Sequence, residues 1–563
     1  MTKGMRQGLT SYGDAGFSLF LRKAFIKAMG YSDDALDRPI VGITNTYSDF
    51  NPCHGNVPAL IEAVKRGVML AGGMPMVFPT ISIHESFAYP TSMFLRNLMA
   101  MDTEEMLRAL PVDSTVLIGG CDKTLPAQVM AAASVDRPAI VLPVGPMVVG
   151  HYKGEVLGAC TDCRRLWSDF RGGRISEAEI ETANARLAPS VGTCMVMGTA
   201  STMAIMIEAM GLSLPGSAAI PATHADRIRI AEATGKQAAA MAKGGAKPSE
   251  ILTKDAFRNA IVLLQAIGGS TNGVVHLSAI AGRTKHPIAL ETFDEIGRKT
   301  PVLVDLKPSG DHYMEHFHHA GGVPRLMQEL KSELALDARH VLGGTLGDAI
   351  ANFEDVPGQT VIKPRNAPLK REGGIAVLRG NLAPRGAVIK QSAASPKLMQ
   401  HEGRAVVFES VEDMTSRIDD PALDVTENDV LVMRSAGPIG APGMPEAGSF
   451  PIPKKLATKG IKDMVRISDA RMSGTSFGTI VLHIAPESAA GGPLALVKTG
   501  DRIRLDVAGR RIDLLVDEAE LARRKAAWTP PTFPDAQRGY ARLYREHVQQ
   551  ADEGCDFDFL RSV

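Results

Sequence analysis

The feature that most constrains this fold is an alternation, over the first 150 residues, of short apolar runs with stretches of helical spacing. Pro39–Asn45 reads as a strand, and Leu60, Ala63, Val64, Gly67, Val68 and Ala71 share one helix face. Met76–Ile81 is the next strand, a helix follows over roughly 91–109, and Ser114–Ile118 and Ala139–Val144 repeat the pattern. Such βαβ spacing predicts a parallel sheet covered by helices, with ligands held beyond the carboxyl ends of the strands. Near residue 368 the texture changes to short β-like runs: Ile375–Leu378, Ala405–Phe408, Val430–Met433 and Thr479–Leu482. Ile503, Leu505 and Val507 alternate, as do Ile512, Leu514 and Val516, with Ala508-Gly509 between them as a hairpin turn. The expected fold class is therefore α/β in two domains. Residues 1–368 form an N-terminal α/β domain and 369–563 a β-rich one with a helical tail at 517–549.

Charge narrows the function classes. Lys plus Arg and Asp plus Glu both number 62, so the formal net charge is zero and no basic excess points to nucleic acid or an anionic membrane. No apolar run approaches a membrane span. Phe17–Leu21 is followed at once by Arg22-Lys23 and a helical pattern, unlike a signal peptide. A soluble, cytoplasmic protein is expected.

The chemistry concentrates at one turn. Gly119-Gly120-Cys121-Asp122-Lys123-Thr124 joins a buried strand to a helix. The glycines let backbone approach a bound group. Cys121 is a soft metal ligand, Asp122 a hard one, and Lys123 a base that burial could deprotonate. Cys53 and Glu85 sit in the loops after two other strands. Cys194 lies just before a predicted helix, Met195–Met210, whose dipole would favour a thiolate. Two further clusters carry less. Cys160-Thr161-Asp162-Cys163 is a CxxC without a second one to complete a zinc site. His312, Glu315, His316, His318 and His319 lack a third ligand at a familiar spacing and read as a solvated helical face.

Several segments carry a resemblance. They are Asn51-Pro52-Cys53-His54-Gly55-Asn56, Gly120-Cys121-Asp122-Lys123-Thr124-Leu125-Pro126, the run Gly192–Met203, and Gly268-Gly269-Ser270-Thr271-Asn272. Ala436–Gly440, Pro445-Glu446 and Ser468–Thr475 continue it. Together they resemble the IlvD/Edd dehydratases, in order and over nearly the whole chain. The resemblance implies a large α/β domain and a smaller β-barrel-like swivelling domain, with the active site between them. It implies Cys53, Cys121 and Cys194 as ligands of a [2Fe–2S] cluster with one iron position open. Glu85, Asp122, Glu446 and a carbamylated Lys123 would surround Mg²⁺, and Ser473, with Thr475 beside it, would be the base. The implied partners are a polyhydroxy carboxylate substrate and identical subunits, as a homodimer or homotetramer.

The implied reaction dehydrates a 2,3-dihydroxy carboxylate to a 2-keto-3-deoxy acid. Branched-chain dihydroxy-acid dehydratases carry a Ser-Asp-Gly turn where this chain has Ile83-His84-Glu85-Ser86. They carry Cys-Gly-Gly-Met where it has Cys194-Met195-Val196-Met197. Both departures, and Ala470-Arg471-Met472, resemble the aldonate dehydratases that act on pentonates such as L-arabinonate or D-xylonate. Branched-chain amino-acid biosynthesis is the alternative activity. A non-catalytic iron–sulfur protein is the alternative of another class.

Overall fold

The computed structural model describes residues 4–9, 12–534 and 536–562. Its first half is built on four parallel strands: β1 (Ile40–Asn45), β2 (Met74–Pro79), β3 (Ser114–Gly119) and β4 (Ala139–Pro143). They lie in the order β2-β1-β3-β4. β1, β3 and β4 are almost wholly buried, which is why they read as unbroken apolar runs. Helices Val57–Leu70 and Ala225–Met241 pack on this sheet, as does Thr124–Val135. The chain leaves β1 for one side of the sheet, through β2, and returns to the other side at β3. Strand order thus reverses between β1 and β3, the position where open α/β sheets bind ligands.

A small antiparallel pair follows, β5 (Gly150–Tyr152) with β6 (Glu155–Leu157). The second half is a closed mixed barrel of eight strands. These are β7 (Ala376–Gly380), β8 (Ala383–Ile389), β9 (Gln400–Phe408), β10 (Val430–Met433), β11 (Arg466–Ser468), β12 (Ile480–Ala485), β13 (Arg502–Asp506) and β14 (Arg511–Leu514). β13 and β14 form the expected hairpin. Closure removes the free strand edges that would otherwise invite pairing with other chains. The barrel interior is filled by Ala387, Val407, Val432, Ile467, Val481 and their neighbours.

The C-terminal tail returns to the first half. Arg96 and Asn97 donate to the carbonyl of Cys555 at 2.9 Å, and Arg283 pairs with Asp556 at 2.8 Å. Tyr544 and Phe557 pack with Met93, Val275 and Met444 in one apolar cluster. The tail therefore fastens the barrel to the sheet domain next to Met444, two residues from Glu446.

Two expectations need correction. The helix after Cys194 begins at Thr199, not at Met195, so Cys194 is not in a helix first turn. The tail is two helices, Glu518–Ala527 and Gly539–His547, because Pro530, Pro531 and Pro534 interrupt the helical pattern between them. The segment Thr161–Arg171, which begins inside the CxxC, is a helix that periodicity alone did not mark.

Candidate active site

β1 and β3 each end in a loop that bears a cysteine. Gly120 shapes the second loop: a Cβ there would lie 2.0 Å from Val144, so only glycine lets the turn close. His54 ties the two loops together. Its Nε2 accepts from the amides of Gly120 and Cys121, both at 3.1 Å. Its Nδ1–H therefore donates to the Thr46 carbonyl at 2.7 Å. Burial drives the His54 pKa down to about 4, which keeps the ring neutral and this tautomer in place. The sequence showed His54 only as part of a motif; its bracing role needs the fold to be seen.

Cys53 and Cys121 are buried, and their sulfurs and a His84 ring nitrogen all lie within 4.8 Å of one another. The bond to Cys121, then burial, push the Cys53 thiol well above its ordinary pKa. Cys194 is close enough to feel the charges of Cys121 and Asp122. Its own partner is unexpected: Cys160, set aside above, has its Sγ 3.0 Å from the Cys194 Sγ. The bond to Cys160, then burial, raise the Cys194 pKa, the opposite of the helix-dipole expectation. Cys163 packs instead against the small apolar cluster of Leu157, Leu166, Ala183 and Leu187, its sulfur accepting from the Cys160 amide at 3.2 Å.

Beside the thiols lies a carboxylate cluster. Lys123 is fully buried, with Nζ 3.0 Å from Glu85, 3.4 Å from Asp122 and 3.5 Å from Glu446. Burial alone would lower its pKa, but Glu85, with Asp122 and Glu446, more than offsets this and the ammonium is favoured. Burial also opposes the charged form of Glu85. Lys123, Arg471 and the hydroxyls of Ser92 and Thr91 outweigh it and hold that carboxyl well below the usual range. Thr91 Oγ1 donates to Glu85 at 2.5 Å, and Ser92 donates to the other oxygen.

Glu446 comes from the loop after β10. Arg471, fully buried, donates to it at 2.9 Å and to the Met444 carbonyl at 2.7 Å. Asn272 donates to Glu446 and to the Met472 carbonyl, both at 3.1 Å. Ala447 and Met472 form an antiparallel bridge, which sets the Glu446 and Ser473 segments side by side. Ser473 and Thr475 share a hydrogen bond of 2.8 Å. Lys390, buried and without a carboxylate partner in hydrogen-bond range among the described residues, donates to the Gly474 carbonyl at 3.0 Å. Thr161 donates to the Thr475 carbonyl at 3.1 Å, so the helix that starts beside Cys160 abuts this loop. A cavity of about 590 Å³ opens next to it, lined by Arg164, Trp167, Ser449, Arg466, Ser476 and Phe477 among others.

Glu85, Asp122, Lys123 and Glu446 thus meet where the loops of sheet and barrel come together, with the Ser473 segment alongside Glu446. The histidine cluster does not join them. His312 precedes the helix Met314–His319, and His318 lies instead near His224 and Asp226. Among the described residues, no helix is long and apolar enough to cross a membrane.

Comparison with known proteins settles the family. The N-terminal domain of the dihydroxy-acid/6-phosphogluconate dehydratases matches residues 38–349, and their C-terminal domain matches residues 360–555. The chain belongs to this family. An L-arabinonate dehydratase of Rhizobium leguminosarum bv. trifolii (strain WSM2304) is 48% identical over 554 residues, 98% of this chain and 95% of the relative. An L-arabonate dehydratase of Azospirillum brasilense is 49% identical over 552 residues, 96% of this chain and 94% of the relative. A dihydroxy-acid dehydratase of Pyrococcus abyssi (strain GE5 / Orsay) is 41% identical over 544 residues, 95% of this chain and 97% of the relative. This IlvD/Edd dehydratase is therefore more similar to these two L-arabinonate (L-arabonate) dehydratases than to that dihydroxy-acid dehydratase.

Proposed function

We propose that this chain is a hydro-lyase that converts a sugar acid, a pentonate such as L-arabinonate or D-xylonate, to its 2-keto-3-deoxy acid. The observation that carries the reading is the buried contact of Lys123 with Glu85, Asp122 and Glu446, directly beside the Cys53–Cys121 pair. A hard-ligand site and a soft-ligand site share one turn. The higher identity to enzymes named for arabinonate supports the substrate class over dihydroxy acids of branched-chain metabolism.

The donor sets fit both metals. Buried thiols suit iron–sulfur, so Cys53, Cys121 and Cys194 would hold a [2Fe–2S] cluster. Three convergent carboxylates suit Mg²⁺ once Lys123 is a carbamate. The charges agree. Replacing an ammonium by a carbamate removes two positive charges, and one Mg²⁺ restores them, so the cluster of Glu85, Asp122, Glu446 and Arg471 keeps its balance. When bound, the ions would make the C2 proton more acidic and help the C3 hydroxyl leave.

The chain's own part is the proton. Ser473 takes it from C2, with Thr475 hydrogen-bonded to its oxygen. Arg471 and Asn272 hold Glu446 in place, and Lys390 holds the loop carbonyl behind Ser473. The C3 hydroxyl leaves as water with the proton that Ser473 took up, which restores the Ser473 alkoxide, and the enol product tautomerises to the keto acid. The cationic cavity at Arg164 and Arg466 suits entry of an anionic acid. The site lies between the units 1–368 and 369–563, in a cytoplasmic homodimer or homotetramer. The test is a screen of anaerobically purified protein against four- to six-carbon aldonates and 2,3-dihydroxyisovalerate for 2-keto acid formation. Pentonates should turn over fastest, and turnover confined to 2,3-dihydroxyisovalerate would reverse the substrate assignment.

A further inference from the structure

The thiols of the site come in two pairs, Cys53 with Cys121 and Cys160 with Cys194. A binuclear cluster has two irons, and each accepts two protein ligands. With Cys53 and Cys121 on one iron, Cys194 alone would leave a position free on the other. That position is where a substrate hydroxyl must come. Cys160 is the thiol beside it.

We propose that Cys160 is a displaceable fourth thiolate ligand of the iron–sulfur centre, closing the free position until substrate arrives. The inference rests on the cluster assignment made above and adds a residue to it. Two observations independent of the 3.0 Å contact support it. Cys160 has φ +77°, a backbone conformation that side chains other than glycine's rarely adopt, so the thiol is held where relaxed backbone would not place it. The amide of Cys160 donates to Cys163, and Thr161 is tied to the carbonyl of Thr475, so the turn is fixed from both sides.

The step is a ligand exchange. On substrate binding the Cys160 thiolate would give up its place to the C3 hydroxyl and take a proton from solvent, and no electron would be transferred. Release of product reverses the exchange. Between turnovers a thiolate held by Cys160 would leave no vacant position for oxygen. The fourth thiolate would therefore trade some substrate affinity for retention of iron in air.

The variants are Cys160→Gly, which suits the positive φ while removing sulfur, and Cys160→Ser, whose hydroxyl still reaches iron. All proteins are purified and reconstituted without oxygen, then compared by iron content, visible circular dichroism and resonance Raman in the iron–sulfur stretching region. The wild type should hold about two irons per chain, and adding L-arabinonate should change its spectrum. Cys160→Gly should keep its iron but start with a different spectrum, respond less to substrate, show a severalfold lower KM and lose iron severalfold faster in air. Cys160→Ser should give a third spectrum. If Cys160→Gly matches the wild type in resting spectrum and substrate response, Cys160 is not a ligand. A Cys160–Cys194 disulfide found by mass spectrometry in the iron-loaded protein would overturn the proposal equally. A wild type that takes up no iron overturns the cluster assignment itself, a result distinct from either.

Discussion

Lys123, on the turn after β3, and Glu446, on the loop after β10, meet at 3.5 Å across 323 residues of sequence. Neither half of the chain holds this carboxylate cluster alone. Arg471 and Asn272 complete the junction, one from the barrel half and one from the sheet half. A buried carboxylate with two fixed donors stays in one geometry, which a metal site requires.

The carboxylates should be indispensable for a reason other than stability. Glu85→Gln, Asp122→Asn and Glu446→Gln should each lose nearly all turnover while retaining the visible iron–sulfur spectrum. EDTA should abolish wild-type activity, and Mg²⁺ or Mn²⁺ should restore it. Unchanged turnover in all three variants would remove the metal from the mechanism.

Cys53→Ser, Cys121→Ser and Cys194→Ser should each yield protein with little iron and no activity. Cys163→Ser should keep its iron, because its sulfur accepts from the Cys160 backbone rather than facing the Cys53–Cys121 pair. Colourless wild-type protein with full activity would contradict the assignment.

Gly474 is closed to any side chain. A Cβ there would lie 2.7 Å from the Thr199 amide nitrogen and equally near Ser270. Gly474→Ala must therefore move backbone, and Ser473 with it. Activity should fall by at least tenfold, on the scale expected for an active-site displacement of about 1 Å, while iron content holds. Near-normal kcat would show that the loop can shift without harm.

These predictions show how far the sequence could be read. The strands and the β1 and β3 loops were legible because buried parallel strands leave unbroken apolar runs bounded by glycine and polar turns. β8 was not, since Ala383, Pro384, Arg385 and Gly386 interrupt its apolar pattern at a bulged end. The residues of the site were legible through motifs that resemble a family, not through spacing. Cys160 was missed because a lone CxxC gives no sign of which sulfur turns inward. That depends on a positive φ and a contact with Cys194 that only tertiary packing creates. Lys390 and His54 were missed for a similar reason. Each acts on backbone, Lys390 on the Gly474 carbonyl and His54 on two amides, and sequence does not record such bonds.

Acid should destabilise the fold through buried neutral histidines. Burial lowers the His340 pKa to about 4 from an ordinary 6.5. Below pH 6.5 the unfolded chain binds a proton that the folded ring refuses, so stability falls as pH drops from 6.5 towards 4 and levels off below. The loss from this one group is on the order of 3 kcal/mol. Its Nδ1 accepts from the Leu342 amide at 3.1 Å, a bond that an asparagine oxygen can replace. His340→Asn should therefore flatten the urea-midpoint profile across that window, and an unchanged slope would show that the ring titrates normally.

The central claim is that Ser473 removes the C2 proton. As an ordinary turn serine it would only bond to its own loop, as it does to the Thr475 amide at 3.4 Å. The most direct measurement is C2 proton–deuterium exchange alongside turnover for Ser473→Ala, with iron content and substrate binding followed in the same samples. The account predicts a folded, iron-loaded protein that binds the pentonate but loses both exchange and dehydration by about 10²–10⁴-fold. If the variant keeps a sizeable fraction of wild-type turnover with the C2–H bond still breaking, Ser473 is not the base.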